Sequence, residues 1–276
     1  MGFGAPTHDD FAEYSKSVGR KVTKKKDGSV VLDAVYGAQD IFKSKGLDPM
    51  LDPKDKIREC CDSEEHPNTI PVILALDVTG SMGSAAAEVA KKISEITVSL
   101  FNKVKDVEFM TMAIGDMSYD RVPLQASQFE SDIRIAEQLD KVFFEGGGGG
   151  NGFESYTSAW YFGINNTTLD CWKRGKKGII ITLGDEALNP YLPASKIRSV
   201  IGGSVEKDVE TKDLYPETIK KFDVYHLVVN DRHTCAEMYK DSIRQTWFKY
   251  LDNDHLRVVS LDTLAKTITD IVTEHQ

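Results

Sequence analysis

An uninterrupted apolar segment that runs into a hydroxyl-rich turn constrains the fold of this chain more than any other feature. Six of the seven residues from Ile70 to Leu76 are apolar, Pro71 being the exception, and none is polar. This pattern is typical of a strand that is buried on both faces inside a parallel sheet. The segment ends at Asp77, and a helical pattern begins beyond Ser84. Ligands of open α/β sheets bind at the carboxyl ends of the strands, so this turn is the first candidate site.

The turn offers only oxygen ligands. Asp77, Thr79 and Ser81 stand at alternate positions, with no thiol or imidazole nearby. Hard cations such as Mg²⁺ prefer oxygen ligands in octahedral geometry, at about 2.0–2.1 Å. A helix cap at Ser81 or Ser84 and a strand end at Asp77 would explain the same residues without a metal. The position of the turn between a buried strand and a helix favours the metal site.

The motif Asp77-Val-Thr79-Gly-Ser81 resembles the D-x-[ST]-x-S motif of von Willebrand factor A domains, and the resemblance covers residues 68–276. In that family the motif opens a metal-ion-dependent adhesion site. The resemblance implies an α/β fold with a doubly wound, mostly parallel sheet flanked by helices. It also implies a bound Mg²⁺ (or Mn²⁺ or Ca²⁺) and a role in protein binding rather than catalysis. Intracellular members of the family often work with AAA+ ATPases or within multiprotein assemblies.

Five consecutive glycines, 146–150, precede a second group of polar residues. Glycine loses more backbone freedom on folding than any other residue, so the run indicates a close backbone approach to an ion or partner rather than a flexible linker. In the family this loop supplies a threonine to the metal. Here Thr157 is predicted to lie too deep in a helix spanning 153–164. Three polar residues remain as candidates: Asn151, Glu154 and Ser155. Glu154 is the predicted ligand, although an acid at a helix N-terminus needs no metal.

A second buried strand is predicted at 178–183, and Gly184-Asp185-Glu186 follow it. This matches the family's third metal loop, so Asp185 is predicted to close the site, with Glu186 as the second choice. Loops that follow two parallel strands lie at the same sheet edge. The predicted metal site therefore consists of Asp77, Thr79, Ser81, Glu154 and Asp185.

The polar segment 62–68 divides the chain into an N-terminal extension, 1–68, and a main domain, 69–276. The extension is predicted to begin with a mobile or partner-bound segment, 1–14, followed by a β-hairpin at 17–36. Two short helices are predicted at 33–45 and 53–61. Strands of the main domain are predicted at 70–76, 107–114, 120–125, 178–183, 222–229 and 257–260. Helices are predicted at 84–104, 131–144, 153–164, 194–200, 234–251 and 261–274.

Composition limits the cellular compartment and the classes of partner that we expect for this chain. The formal net charge is −9 and the pI about 5.2, which argues against a nucleic-acid partner. The chain has no apolar run of 18 residues and no basic-then-apolar leader, so neither a membrane partner nor a signal peptide is predicted. Its four cysteines lack C-x-x-C spacing, which indicates reduced thiols and a cytoplasmic location.

Two functions follow from these residues. The first is a non-catalytic binding module, in which neutral hydroxyls leave the ion partly uncompensated and an acidic side chain of a protein partner completes its coordination. If Glu154 also ligates, its charge makes the ion less electrophilic and favours a closed or structural site. The alternative is a Mg²⁺-dependent phosphohydrolase of the haloacid dehalogenase type, which needs a second carboxylate where Thr79 stands.

Overall fold

A central parallel sheet organises the chain, seen in a computed structural model that describes residues 7–24, 26, 30–32, 41–101, 103–147 and 151–275. The strands are β1 (Val22–Lys24), β2 (Val30–Leu32), β3 (Arg58–Cys60), β4 (Ile70–Asp77), β5 (Val107–Ile114), β6 (Leu124–Glu130), β7 (Phe153–Glu154), β8 (Thr167–Leu169), β9 (Gly178–Gly184), β10 (Ala187–Leu188), β11 (Tyr191–Leu192), β12 (Val209–Glu210), β13 (Phe222–Val229) and β14 (Leu256–Val259). The α-helices are α1 (His8–Ser17), α2 (Gly83–Phe101), α3 (Arg134–Asp140), α4 (Thr157–Asn165), α5 (Ala194–Lys196), α6 (Thr211–Lys221), α7 (Lys240–Trp247) and α8 (Leu261–Thr273), together with a 3-10 helix at Asp170–Arg174 and a π-helical turn at Ile197–Ile201.

Six of the strands in the described part of the chain form one sheet, in the order β14-β13-β9-β4-β5-β6. All neighbours are parallel except β6, which pairs antiparallel with β5. The chain leaves β4 toward β5 and later returns on the other side as β9. The strand order therefore reverses at the carboxyl end of β4, which is where such sheets bind ligands. The predicted fold class, a doubly wound and mostly parallel sheet, is confirmed.

Alternate residues of β4 supply two separate hydrophobic cores. Val72 and Leu74 pack into the core on one face, which α2 and α8 cover. Ile73 and Ala75 pack into the core on the other face, which α4 and α7 cover. Burial on both faces explains why β4 is an unbroken apolar segment rather than an alternating one. It also fixes the direction in which the strand ends, and hence where Asp77 lies.

The N-terminal extension departs from its prediction at 53–61. At the start of the chain, Thr7 caps α1 through a reciprocal pair of hydrogen bonds with Asp10, and the mobile or partner-bound character predicted for 1–14 stays a prediction. The segment 53–61 forms strand β3 instead of a helix, and β3 pairs parallel with β8. The buried guanidinium of Arg58 donates to the carbonyls of Met50, at 3.0 Å, and Ala126, at 2.8 Å. These tertiary hydrogen bonds outweigh local helix propensity.

The predicted β-hairpin is present as the antiparallel pair β1 and β2, in which Val22 faces Leu32. Its tip, including Asp27-Gly28, lies outside the described residues, as does 33–40 of the helix predicted at 33–45. Residues 41–45 are not helical. The domain boundary after residue 68 stays a prediction, although Tyr14 donates to Asp140 of the main domain at 2.6 Å.

Several boundaries in the main domain differ from the prediction. The edge strand begins at Leu124 rather than 120, because Asp120 accepts a hydrogen bond from the backbone N–H of Asp116 and closes a turn first. The helices predicted at 131–144 and 234–251 are shorter, as α3 and α7. Met238 precedes α7 and is 76% exposed. His226 is buried within β13.

None of the described helices combines the length and the apolar character that crossing a bilayer requires. All four cysteines are free thiols, and Cys60 and Cys171 are buried.

Candidate metal centre

The first loop places two hydroxyls beside a buried carboxylate. Asp77 ends β4, and its Oδ1 accepts hydrogen bonds from the backbone N–H of Thr79, at 2.9 Å, and from the Thr79 hydroxyl, at 2.6 Å. The Thr79 and Ser81 hydroxyl oxygens lie 3.1 Å apart. Alternate residues of this extended turn therefore point to one side, as the D-x-T-x-S spacing predicts.

The third loop brings a second carboxylate to the same point. The Ser81 hydroxyl donates to Asp185 Oδ1 at 2.9 Å, across 104 residues of sequence. The other oxygen, Oδ2, accepts a hydrogen bond of 2.6 Å from the backbone N–H of Cys235. The structure thus brings four of the five predicted residues together in one chain of short polar contacts that runs from Asp77 through both hydroxyls to Asp185.

The space between the Thr79 and Ser81 hydroxyl oxygens suits a cation. Ionised carboxylates only accept hydrogen bonds, so the Thr79 hydrogen points to Asp77 and the Ser81 hydrogen points to Asp185. When both carboxylates are ionised, as they would be around a cation, no hydrogen lies between the two hydroxyl oxygens, and their lone pairs face each other across 3.1 Å. Adjacent ligands of an octahedral Mg²⁺ stand about 2.9 Å apart when each metal–oxygen distance is about 2.05 Å. The spacing of the hydroxyl pair matches one edge of that octahedron.

The electrostatics of the site also favour a cation. Asp77 and Asp185 are fully buried, and none of the described lysine or arginine side chains forms an ion pair with either. Burial, and then the charge of Asp185, raises the pKa of Asp77 to about 8. Burial also raises the pKa of Asp185. A bound divalent ion would offset the free-energy cost of burying the two carboxylates, because it compensates both charges.

Glu154 lies beside this chain of four residues rather than within it. Its side chain in β7 is 2% exposed, and Oε2 has no hydrogen-bond partner among the described residues. Burial, then Asp77 and then Glu186, raises the pKa of Glu154 to about 11. Within the described residues, no three carboxylate, imidazole or thiol groups are grouped as a metal cluster. The donors that meet are therefore two carboxylates and two hydroxyls, and ligation by Glu154 stays a prediction.

The remaining candidates have other partners. Asn151 donates to Asp116 at 2.6 Å, and the Ser155 hydroxyl accepts from the backbone N–H of Met117 at 2.9 Å. The helix predicted at 153–164 begins only at Thr157, because Phe153 and Glu154 pair with β10 as strand β7. Thr157 is thus at the start of the helix instead of deep within it, and its hydroxyl accepts from Asn189. The second-choice acid, Glu186, has a pKa raised to about 7, chiefly by burial.

The glycine run lies close to the first loop of the chain itself, and the predicted close approach to an ion or partner stays a prediction. The Gly80 N–H donates to the carbonyl of Gly147 at 2.5 Å. A Cβ at Gly80 would lie 2.8 Å from that oxygen and 3.3 Å from the carbonyl of Gly146. Residues 148–150 of the run are outside the described part of the chain.

This contact predicts the effect of Gly80→Ala. The new methyl group must push the two loops apart, which we expect to lower the free energy of unfolding by about 1–3 kcal/mol and to weaken Mg²⁺ binding. Gly46→Ala is the matched control, because a Cβ at Gly46 meets no atom within 4 Å. Urea unfolding and calorimetric Mg²⁺ titration measure both effects. Equal behaviour of the two variants would contradict the contact.

Two further residues contribute to the site through contacts that sequence patterns did not indicate. The Tyr156 hydroxyl donates to Asp77 Oδ2 at 2.8 Å. Gly184 precedes Asp185, and a Cβ there would overlap the Tyr156 hydroxyl. The sequence gives Gly184 only as part of the third loop, and it gives no signal for the Tyr156–Asp77 contact, which joins residues 79 positions apart in the chain.

Comparisons with known proteins give a structural likeness alone. No protein-family model matches the chain, and no curated protein matches it. The pilus adhesin SpaC from Lactobacillus rhamnosus GG aligns with a TM-score of 0.50 and 12% identity, over 80% of this chain and 31% of SpaC. This chain therefore spans about a third of the adhesin's length.

Two further solved structures align with lower scores. The vWF domain of the type V pili tip protein Mfa5 from Porphyromonas gingivalis has a TM-score of 0.43 and 10% identity, over 75% of this chain and 94% of that domain. The conserved hypothetical protein BatB from Bacteroides thetaiotaomicron has a TM-score of 0.45 and 14% identity, over 75% and 98% of the two chains. The likeness to SpaC shows that this chain shares the α/β fold of part of that adhesin.

Proposed function

We propose that this chain is a protein-binding module whose interaction depends on a divalent cation, Mg²⁺ or alternatively Mn²⁺ or Ca²⁺. Asp77, Thr79, Ser81 and Asp185 would hold the ion, and Glu154 would lie beside it. The observation that carries the proposal is the pair of hydroxyl oxygens 3.1 Å apart, each donating its proton to a flanking buried carboxylate. This donor set suits a hard cation.

The neutral hydroxyls of Thr79 and Ser81 would leave one side of the ion without a charged ligand. Gly80 is exposed and Ser81 is half-buried, whereas Asp77 and Asp185 are buried, so the partner would approach over the hydroxyl side. An aspartate or glutamate of the partner would complete the coordination there.

We also propose that the module is not an enzyme. The alternative phosphohydrolase needs a second carboxylate to carry a proton, and Thr79 occupies that position. Its hydroxyl is already committed to Asp77 at 2.6 Å. Incubation with Mg²⁺ and a chromogenic phosphate ester separates the two functions. Steady turnover that Asp77→Ala abolishes would favour the phosphohydrolase.

The setting we propose is a multiprotein assembly in the cytoplasm. The four free thiols favour a reducing compartment. An AAA+ ATPase is the candidate partner that the motif's resemblance implies. Neither nucleic acid nor membrane is proposed as a partner, in keeping with the net charge of −9.

Affinity capture from the native host tests the binding function. The wild type should recover a partner in Mg²⁺ and lose it in EDTA, and Asp77→Ala should lose it in both buffers. Asp213→Ala is the matched control, because Asp213 is an exposed acid on α6. The same recoveries in every lane would count against a metal-bridged interface.

A further inference from the structure

Both oxygens of the buried Asp77 carboxylate accept hydrogen bonds. Two donors of Thr79 occupy Oδ1, and the Tyr156 hydroxyl occupies Oδ2 at 2.8 Å. A carboxylate held only at Oδ1 could rotate about its Cβ–Cγ bond and move the Thr79 hydroxyl with it. The Tyr156 hydrogen bond prevents this rotation, and therefore fixes the direction in which the Thr79 lone pairs point.

The same hydroxyl also contacts the third loop. The backbone N–H of Glu186 donates to the Tyr156 oxygen at 3.3 Å. One side chain therefore connects the residue that ends β4 with the residue after Asp185. The Tyr156 hydroxyl therefore adds a second link between the loops that carry the two carboxylates, beside the Ser81–Asp185 hydrogen bond.

The position of the hydroxyl is fixed by close packing. Tyr156 is fully buried, and its ring lies edge-on to His226, with ring centres 4.9 Å apart, and tilted against Trp247, at 5.4 Å. The oxygen fits against the backbone of Gly184, where any side chain would overlap it. The glycine directly before Asp185 thus makes room for the tyrosine rather than serving a turn, because its φ is not in the left-handed region.

We propose that Tyr156 is a positioning residue of the metal centre, and that Gly184 is the residue that admits it. The inference rests on the proposed function. Its content is that the tyrosine hydroxyl, without touching the ion, sets the orientation of Asp77 and the spacing of the Asp77 and Asp185 loops. Loss of such an outer partner typically lowers metal affinity by about 10–100-fold.

Tyr156→Phe tests the inference, because it removes the hydroxyl and keeps the ring. Tyr161→Phe is the matched control, because Tyr161 lies on α4, which begins directly after Tyr156, and its hydroxyl makes no hydrogen bond to a described residue of the site. The dissociation constant of Mg²⁺ is measured by calorimetry at a temperature at which circular dichroism shows each variant to be folded. A ten-fold or larger rise for Tyr156→Phe, with Tyr161→Phe within two-fold of wild type, supports positioning.

The remaining outcomes overturn one proposal or the other. If Tyr156→Phe only lowers the melting temperature in EDTA and binds Mg²⁺ like the wild type, its role is structural and the inference fails while the proposed function stands. If the wild type binds none of Mg²⁺, Mn²⁺ and Ca²⁺, the proposed function fails and the inference falls with it.

If Tyr156→Phe does not fold, a measurement on the wild type still tests the inference. The ¹³Cζ resonance of Tyr156 reports on its hydroxyl, and we expect it to shift when Mg²⁺ is added, whereas that of Tyr161 stays unchanged. An unchanged Tyr156 resonance in protein that has bound Mg²⁺ would overturn the inference. Gly184→Ala gives an independent displacement of the hydroxyl, with the same expected loss of affinity.

Discussion

Asp77→Asn is expected to stabilise the metal-free protein and to abolish its stabilisation by Mg²⁺. Burial and Asp185 raise the pKa of Asp77 from 3.8 to about 8, so the metal-free fold disfavours the ionised form. Asparagine carries no charge, and its amide can donate to the Tyr156 oxygen in place of the present bond. We expect the free energy of unfolding in EDTA at pH 8 to rise by up to about 5 kcal/mol, since each unit of the pKa difference between folded and unfolded chain corresponds to about 1.4 kcal/mol.

The pH dependence of this gain has a definite sign. Below about pH 4 both folded and unfolded chains carry the proton on Asp77, so the wild type has no penalty. As the pH rises, the unfolded chain releases the proton first, and the folded wild type loses stability until its own pKa of about 8 is passed. The advantage of Asp77→Asn should therefore be small at pH 4, larger at pH 6 and largest at pH 8.

Magnesium should narrow the difference in stability between the two proteins. An ion at 100 times its dissociation constant stabilises the wild type by about 2.7 kcal/mol, and the asparagine variant should gain nothing. Urea unfolding with EDTA or Mg²⁺ at three pH values measures how far the difference closes. Asp213→Asn is the control that should show neither effect. A variant less stable than the wild type in EDTA at pH 8 would contradict the charge argument, and an equal response to Mg²⁺ would contradict the site.

Trp160→Ala is expected to lower the free energy of unfolding by about 3–5 kcal/mol. Trp160 is fully buried at the centre of the aromatic cluster between α4, α6 and α7. Its ring centre lies 5.5 Å from that of Tyr215, 6.1 Å from Trp247 and 6.4 Å from Tyr250. Alanine would leave a cavity that three surrounding rings cannot collapse to fill, because each is itself packed against the core.

The control for Trp160→Ala is Trp172→Ala. Trp172 is only half-buried and packs between Phe222 and the Lys221 side chain, so its loss should cost less. Urea unfolding of both variants measures the difference between their losses in free energy of unfolding. At a temperature at which Trp160→Ala remains folded, its Mg²⁺ affinity should stay within about three-fold of wild type, because its ring contacts none of the four metal-site side chains. Equal costs for the two tryptophans would contradict the cavity argument.

Elements of the fold that depend on local pattern were predictable. The strands at 107–114, 178–183 and 222–229 and the helix at 261–274 are found within about one residue of their predicted bounds. Each has a strong period or an unbroken apolar run that neighbouring structure has no reason to override. The segment 53–61 was mispredicted because it takes its structure from β8 and from carbonyls that Arg58 reaches elsewhere in the fold.

The residues of the candidate site also fall into those predictable from local sequence and those that depend on tertiary contacts. The residues Asp77, Thr79 and Ser81 were predictable because their spacing is local, and Asp185 was predictable because it follows a recognisable buried strand. Glu154 was placed on a helix, whereas pairing with Leu188 holds it in a strand. That difference could not be seen in the sequence, since Leu188 is a distant residue whose own position depends on the loop after β9.

The sequence by itself determined a doubly wound sheet and the loops that carry the oxygens of the candidate site, because buried strands and turns are specified by residues close together in the chain. Only the tertiary structure decided how those oxygens are oriented. The Ser81–Asp185 hydrogen bond, the Gly80–Gly147 approach and the Tyr156–Asp77 contact each join residues far apart in sequence. Such contacts exist only after the sheet has brought its loops to one edge, because no local interaction can hold a hydroxyl or a carboxylate in a single direction.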